Sequence, residues 1–387
     1  MFTPRHTGPA ALAVSALLLT ACGGETDGAT QADTGADVTD PVVTTYDGGV
    51  LVLDGSTLEV EADIELDGFN RLNPTGDGRH LLVSTSEGFQ VLDAVAGELT
   101  GTVFGAETPG HVVVHEGRTA LFDDGTGEIT VFDSEAAGEV TPEEADTHTA
   151  DEPHHGVAVE LSSGQLLHTL GDEESVDGVV ALDPDGEEIA RSEDCPGVHG
   201  ETVAQDEAVV VGCEDGALIY DGDGFTKVDS EDDYGRIGNQ AGSEHSPVVL
   251  GDYKVDEEAE LERPERVALI DTADEELELV DLPASYTFRS LGRGPQGEAL
   301  VLGTDGTLHV IDPEEGEVTD GVELMDEWEE PLEWQKPRPA LFVRGSTAYV
   351  SDPDADELHA VDLESLEVTA TQGLEAAPNE LSGVSTP

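Results

Sequence analysis

The chain predicts an all-β fold, an eight-bladed β-propeller, and three observations predict it. A unit made of a short apolar strand ending in Asp, a turn, and a polar residue opening a second strand recurs eight times in the 387 residues. Successive units lie 39, 40, 50, 38, 50, 41 and 50 residues apart, the length of one four-stranded blade. Long helical periodicity is missing, while short apolar runs, alternating or continuous, are bounded by Asp, Gly and Pro as strands and hairpins require. Seven blades is the alternative, should one unit belong to an irregular edge.

In chain order the units are "VLVLDGSTLE" with Asp54, "FQVLDAVAGE" with Asp93, "ITVFDSEAAGE" with Asp133, "VVALDPDGEE" with Asp183, "ALIYDGDGF" with Asp221, "VALIDTADEE" with Asp271, "LHVIDPEEGE" with Asp312 and "LHAVDLESLE" with Asp362. The ends complement one another. "TYDGGVLVLDGSTLEVEADIEL" reads as later strands of a blade with no first strand, and "PNELSGV" at 378–384 as a first strand with nothing after it. Pairing them closes the ring and covers two otherwise exposed edges. The three 50-residue intervals each carry an insertion, expected at 135–153, 251–266 and 325–339.

The first strand of every blade lines the central channel, so residues distant in sequence converge there. Reading back from each Asp, these strands open at "GFNRLNP" (68), "PGHVVVHEG" (109), "PHHGVAVE" (153), "PGVHGETVA" (196), "RIGNQAGSE" (236), "YTFRSLGRG" (286), "PRPALFVRG" (337) and "PNELSGV" (378). Three consecutive blades place histidine at comparable positions, His111, His155 and His199, with 44 residues between each pair. Neutral imidazole nitrogen is a preferred Zn(II) ligand, and three of them leave a fourth position for a carboxylate or water. The alternative is that these histidines only hydrogen-bond to backbone and water, as buried polar groups do. Asp123, Asp124, Glu201 and Glu380 are candidates for the added carboxylate, and the sequence does not choose among them. His80, His168, His309 and His359 fall in outer or middle strand patterns and read as surface or packing residues. His245 follows an inner strand and is a weaker channel candidate.

Lys and Arg number 15 against 87 Asp and Glu, a formal charge of -72. Such a field repels nucleic acid and anionic lipid surfaces and excludes both as partners. The acids are spread over the whole chain with no calcium loop of the D-x-[DN]-x-[DN]-G type, so they read as solvated surface. Residues 1–22 have a basic start, an apolar run from Ala10 to Leu19 too short to span a bilayer, and the ending Leu19-Thr20-Ala21-Cys22. That ending resembles the lipobox of bacterial lipoproteins, with Cys22 as the lipidated residue; a plain secretory signal is the alternative. Residues 23–40 are small and acidic and read as a disordered tether, leaving 41–387 as a single propeller domain. Two further cysteines, Cys195 and Cys213, suit a local disulfide in an exported protein, with buried free thiols as the alternative.

The stretches "GHVVVHEGRTALFDDGTGEITVFD", "PHHGVAVEL", "CPGVHGE", "GRIGNQAGSEHSPVVLGDYKVD", "ERPERVALIDT", "LPASYTFRSLGRGP" and "PNELSGV" resemble the AztD-type zinc metallochaperones, extracytoplasmic propellers that work with a zinc ABC importer. The resemblance runs from about residue 41 to the C-terminus. It implies a monomeric non-enzyme that captures Zn(II) and transfers it directly to the importer's solute-binding protein. With the lipobox, it implies a protein anchored by lipid to the outer face of the cytoplasmic membrane. It also implies that His111, His155 and His199 form the channel site, with His148 and His154 on a mobile loop at its mouth. "ADTHTADEPHH" is poorer in histidine and richer in acid than the family's mobile segment, which weighs against loop-mediated capture. Two other readings compete: a metal-dependent propeller hydrolase and a cell-surface protein-binding scaffold. A quinoprotein would bring Trp-containing docking motifs, whereas Trp328 and Trp334 both sit in one acidic insertion.

Overall fold

A computed structural model describes residues 37–385 and shows eight four-stranded antiparallel blades. The signal segment, Cys22 and most of the tether lie outside the described residues. Numbered around the ring, the inner strands are Leu381–Gly383, Arg71–Pro74, Pro109–His115, Ala158–Glu160, His199–Val203, Gln240–Ala241, Leu291–Arg293 and Leu341–Arg344. They fall where the sequence predicts them. Blade 1 takes its inner strand from the C-terminus and its other three from Val42–Tyr46, Gly49–Leu53 and Val60–Glu65. Val42, Val43 and Thr44 pair with Gly383, Ser382 and Leu381, so the ring closes as expected.

All eight repeat aspartates end or immediately follow a third strand, and each side chain accepts a backbone N–H from the turn leading to the outer strand. Asp54 accepts from Ser56 and Thr57, Asp183 from Asp185 and Glu187, and Asp271 from Ala273 and Asp274. Asp93, Asp133, Asp221, Asp312 and Asp362 do likewise. A short carboxylate satisfying turn amides is what aspartate does well, so the periodic signal is a periodic turn.

The apolar core is divided into eight clusters, one for each pair of neighbouring blades. Leu81, Val83 and Val52 join blades 2 and 1; Val209, Val211 and Val179 join blades 5 and 4. Only continuous strands with both faces covered can supply such interfaces, which explains the nearly unbroken apolar runs of the second and third strands. The ordered chain starts before Pro41: Val38 is buried and its N–H donates to the Val95 carbonyl at 2.9 Å.

Alternating strand direction gives the disc two faces. One carries the connections entering each inner strand and the turns between second and third strands; the other carries the remaining turns. The insertions at 251–266 and 325–339 lie on the first face. The other insertion does not: its extra residues, opening with the short helix Ser134–Ala136, link the third and outer strands of blade 3 on the second face.

Cys195 and Cys213 form a disulfide within the buried cluster between blades 4 and 5. It ties the segment entering the inner strand of blade 5 to the end of that blade's second strand. Closing a loop of 18 residues restricts the unfolded chain and is worth about 3 kcal/mol. Replacing both cysteines by Ser is expected to lower the urea midpoint accordingly under non-reducing conditions. An unchanged midpoint would show that packing alone holds this segment.

Candidate metal centre

His111, His155 and His199 come together at the channel mouth on the first face. Their ring centroids are 5.1, 5.3 and 5.8 Å apart, and one ligand nitrogen from each lies within 4.8 Å of the others. Each is carried at or just before the start of an inner strand in blades 3, 4 and 5. Each is next to a glycine in sequence: Gly110, Gly156 and Gly200. A Cβ at Gly110 would collide with the Asp124 carboxylate, and Gly200 has φ +72°, a conformation that favours glycine.

An outer layer turns each ring. The Nδ1–H of His199 donates to the Gly238 carbonyl at 2.6 Å, and that of His155 donates to Asp124 Oδ2 at 2.6 Å. A carbonyl and an ionised carboxylate only accept, so the proton sits on Nδ1 and the Nε2 lone pair is left for a metal. His111 Nδ1 lies 3.3 Å from Glu201 Oε2, a buried oxygen with no hydrogen-bond partner of its own. Asp124 also accepts from the Gly156 N–H at 3.3 Å, fixing the carboxylate relative to the strand that carries His155.

The set suits a divalent cation of the zinc type: three imidazoles, a carboxylate or carbonyl behind each, and an open approach. His155 provides the opening, its side chain being 49% exposed against 19% for His111. Of the four carboxylates considered from sequence, none joins the three rings in a common ligand group. Asp124 and Glu201 stand behind imidazoles. Asp123 instead accepts from the backbone of Glu107, Thr108 and Gly125, which holds its carboxyl below the usual range despite burial. Glu380 lies across the mouth, paired with Arg289 and 3.9 Å from Arg71.

The other histidines are elsewhere. His148 lies in the outer strand Asp146–Thr149 of blade 3, paired with Ile129, rather than on a free loop. His154 is buried against Phe122, with Nδ1 2.8 Å from the Glu152 carbonyl and Nε2 2.8 Å from Thr169 Oγ1. Neither is brought to the three-ring group. For His154 the reason is local packing: its ring is held by Phe122 and Thr169, whereas the ring of adjacent His155 meets His111 and His199. His80, His168, His309 and His359 are buried packing residues, and exposed His245 lies on the second face. Gly238 and Asp124 were invisible as ring-orienting groups. A backbone carbonyl leaves no mark in sequence, and Asp124 was one acid among many.

The opposite half of the mouth holds two Arg–Glu pairs, Arg289 with Glu380 and Arg338 with Glu330. The buried guanidinium groups of Arg289 and Arg338 both lie over the Phe288 ring, 5.2 and 4.9 Å from its centroid. Burial is the main influence on Arg289, whose pKa falls to about 10 even with Glu380 beside it. Arg338 pairs with Glu330 at 2.5 Å, and burial pushes that carboxyl up.

Taken together, the molecule is an eight-bladed propeller with a tri-histidine group at one mouth of its channel. Among known proteins the chain is similar to the zinc chaperone AztD of Citrobacter koseri, 25% identical over 297 residues, 74% of this chain and 67% of that protein. The structure of apo AztD from the same organism matches with a TM-score of 0.76 at 21% identity, over 89% of this chain and 96% of that one. The dihydro-heme d1 dehydrogenase NirN shares the fold more distantly, with a TM-score of 0.59 at 14% identity over 90% and 75%. No family model matches. The resemblance to the AztD-type zinc chaperones is thus met by sequence and structural comparison alike, and the named relative is a chaperone rather than an enzyme.

Burial, aided by the neighbouring His111, Arg236 and His155, pulls the His199 pKa from 6.5 to about 4, against the Gly238 hydrogen bond. Its stabilising contribution is therefore complete above pH 6.5 and is lost as pH falls towards 4, where only the unfolded chain readily takes the proton. The melting temperature of zinc-free protein is expected to fall more steeply over this window than that of His199→Gln. Parallel curves would show that His199 titrates normally.

Proposed function

We propose that this protein is a zinc metallochaperone that holds Zn(II) on His111, His155 and His199 and passes it directly to the solute-binding protein of a zinc ABC importer. The observation that carries the reading is the convergence of three imidazoles whose Nδ1 sides are already turned towards acceptors. The zinc chaperone named among the relatives supports zinc as the cargo. The signal segment and Cys22 support work outside the cytoplasmic membrane, as a single lipid-anchored propeller at its outer face.

His199 stays neutral well into acid and needs no deprotonation to ligate. Three neutral ligands leave the fourth position open towards solvent on the His155 side. An acceptor side chain enters there before any histidine leaves, so the ion passes through a shared coordination sphere and avoids a free aqua ion. His155, the most exposed of the three, is the ligand that departs first. No catalytic residue is involved, since no bond in a substrate is made or broken. The histidines at 148 and 154 are not part of this path.

Alanine at His111, His155 or His199 is expected to abolish stoichiometric zinc in the purified mature domain. Asp124→Asn should weaken affinity by about 10–100-fold, and His148→Ala should leave it unchanged. Zinc content and competition titration with a chromogenic chelator read all three. Zinc retained at full stoichiometry in the triple alanine variant would sink the assignment.

A further inference from the structure

Seven large apolar side chains are conspicuously exposed among the described residues, and they are unevenly placed. Val60, Ile189, Val318 and Val368 are single positions on four separate outer strands, around the rim of the disc. The other three, Val255, Leu332 and Trp334, belong to the two insertions on the face that carries the histidines. Leu332 is 65% exposed and Trp334 53%.

These insertions touch each other and reach the mouth. Arg263 in the first donates to Glu329 and to the Glu330 carbonyl in the second, both at 3.1 Å. From there the second crosses towards blade 1. Asn379 Nδ2 donates to the Gln335 carbonyl at 3.0 Å, and Phe69, entering blade 2, meets Trp334 edge-on at 5.0 Å. The buried Arg338–Glu330 pair and the Arg338 bond to the Glu333 carbonyl at 2.9 Å brace the loop from beneath. Trp334 is therefore held by a rigid base at the edge of the mouth, across from the three histidines. Its sister Trp328 is buried and donates to the Gly303 carbonyl.

We propose that Trp334 and Leu332 form the docking contact for the zinc acceptor, which spans the mouth and brings its own ligand to the exposed side of His155. This deepens the metallochaperone reading and rests on it. Exposed aromatic residues on rigid supports are typical anchors, and they contribute most when water is excluded around them. The loops that frame this contact carry 12 acidic and 5 basic residues. The acceptor face that fits is accordingly an apolar projection or pocket ringed by Lys and Arg; an acidic one would be repelled.

The test uses zinc-loaded full-length mature protein and, as acceptor, the zinc-free solute-binding protein of the same organism's zinc ABC importer. Trp334→Ser with Leu332→Ser is expected to keep wild-type zinc stoichiometry and affinity while slowing transfer at least about 10-fold, as loss of one anchoring aromatic would. Wild-type transfer should also slow as salt is raised. In Trp328→Phe, acceptor binding should shield the remaining tryptophan, Trp334, from acrylamide. Equal transfer by wild type and double variant, or undiminished quenching in the complex, would overturn the docking site while leaving zinc transfer intact. Absence of transfer from wild type would instead overturn the function on which the inference rests.

Discussion

Ring closure is the constraint on which the rest of the molecule depends. The C-terminal strand joins blade 1 across some 340 residues of chain, and side chains reinforce the seam. Thr44 Oγ1 donates to the Glu380 carbonyl at 2.7 Å, the Glu380 N–H donates to Thr45 Oγ1 at 3.0 Å, and Arg344 donates to the Pro41 carbonyl at 3.0 Å. The apolar core otherwise joins each blade chiefly to its two neighbours, through one cluster at each interface. A ring open at one seam would let those interfaces relax in turn, and the inner strands would spread. A three-residue metal group drawn from three blades tolerates little of that, because ligation requires nitrogens placed within tenths of an ångström. The hydrogen bonds at the seam thus support a site three blades away.

The disulfide does locally what the seam does globally. His199 enters the channel only four residues after Cys195, and the bridge holds that entry to the second strand of the same blade. On the other side of the ring the buried arginines have a comparable role. Arg289 donates to Asn379 at 2.7 Å and pairs with Glu380, linking the segments that enter blades 7 and 1. Both guanidinium groups are matched by a carboxylate, Arg289 by Glu380 and Arg338 by Glu330, so these carboxylates are already engaged.

Much of this was legible in the sequence because it is periodic. The repeat aspartates mark turns by a mechanism that leaves one residue type at one position per blade, so counting them counts the blades. The three histidines were legible for the same reason, once inner strands were located and compared. What escaped was set by local packing and by the backbone. His154 and His155 are neighbours in the chain, yet one is sealed beside Thr169 and the other faces the mouth. The family resemblance places His148 on a mobile loop, but it pairs with Ile129 in an outer strand whose partners lie across a long turn. The carboxylates were illegible through abundance: among 87 acids, only geometry separates Asp124 and Glu201 from the solvated majority.

On the proposed function, that separation bears on how a zinc site could also release its cargo. A carboxylate bound directly to zinc would add a strong ionic bond and fill the fourth position, and the ion would leave slowly. Here the two carboxylates lie one imidazole away, at Nδ1 of His155 and of His111. From that distance they would still offset a bound ion's charge and raise the basicity of the rings. They would do so without occupying a coordination site, and the acidic envelope around the molecule adds a long-range attraction that salt can screen. Affinity and access are thereby assigned to different atoms. On the proposed function, the ligand nitrogens and their outer layer would hold the ion, while the open side next to His155 would set how readily another protein's ligand reaches it.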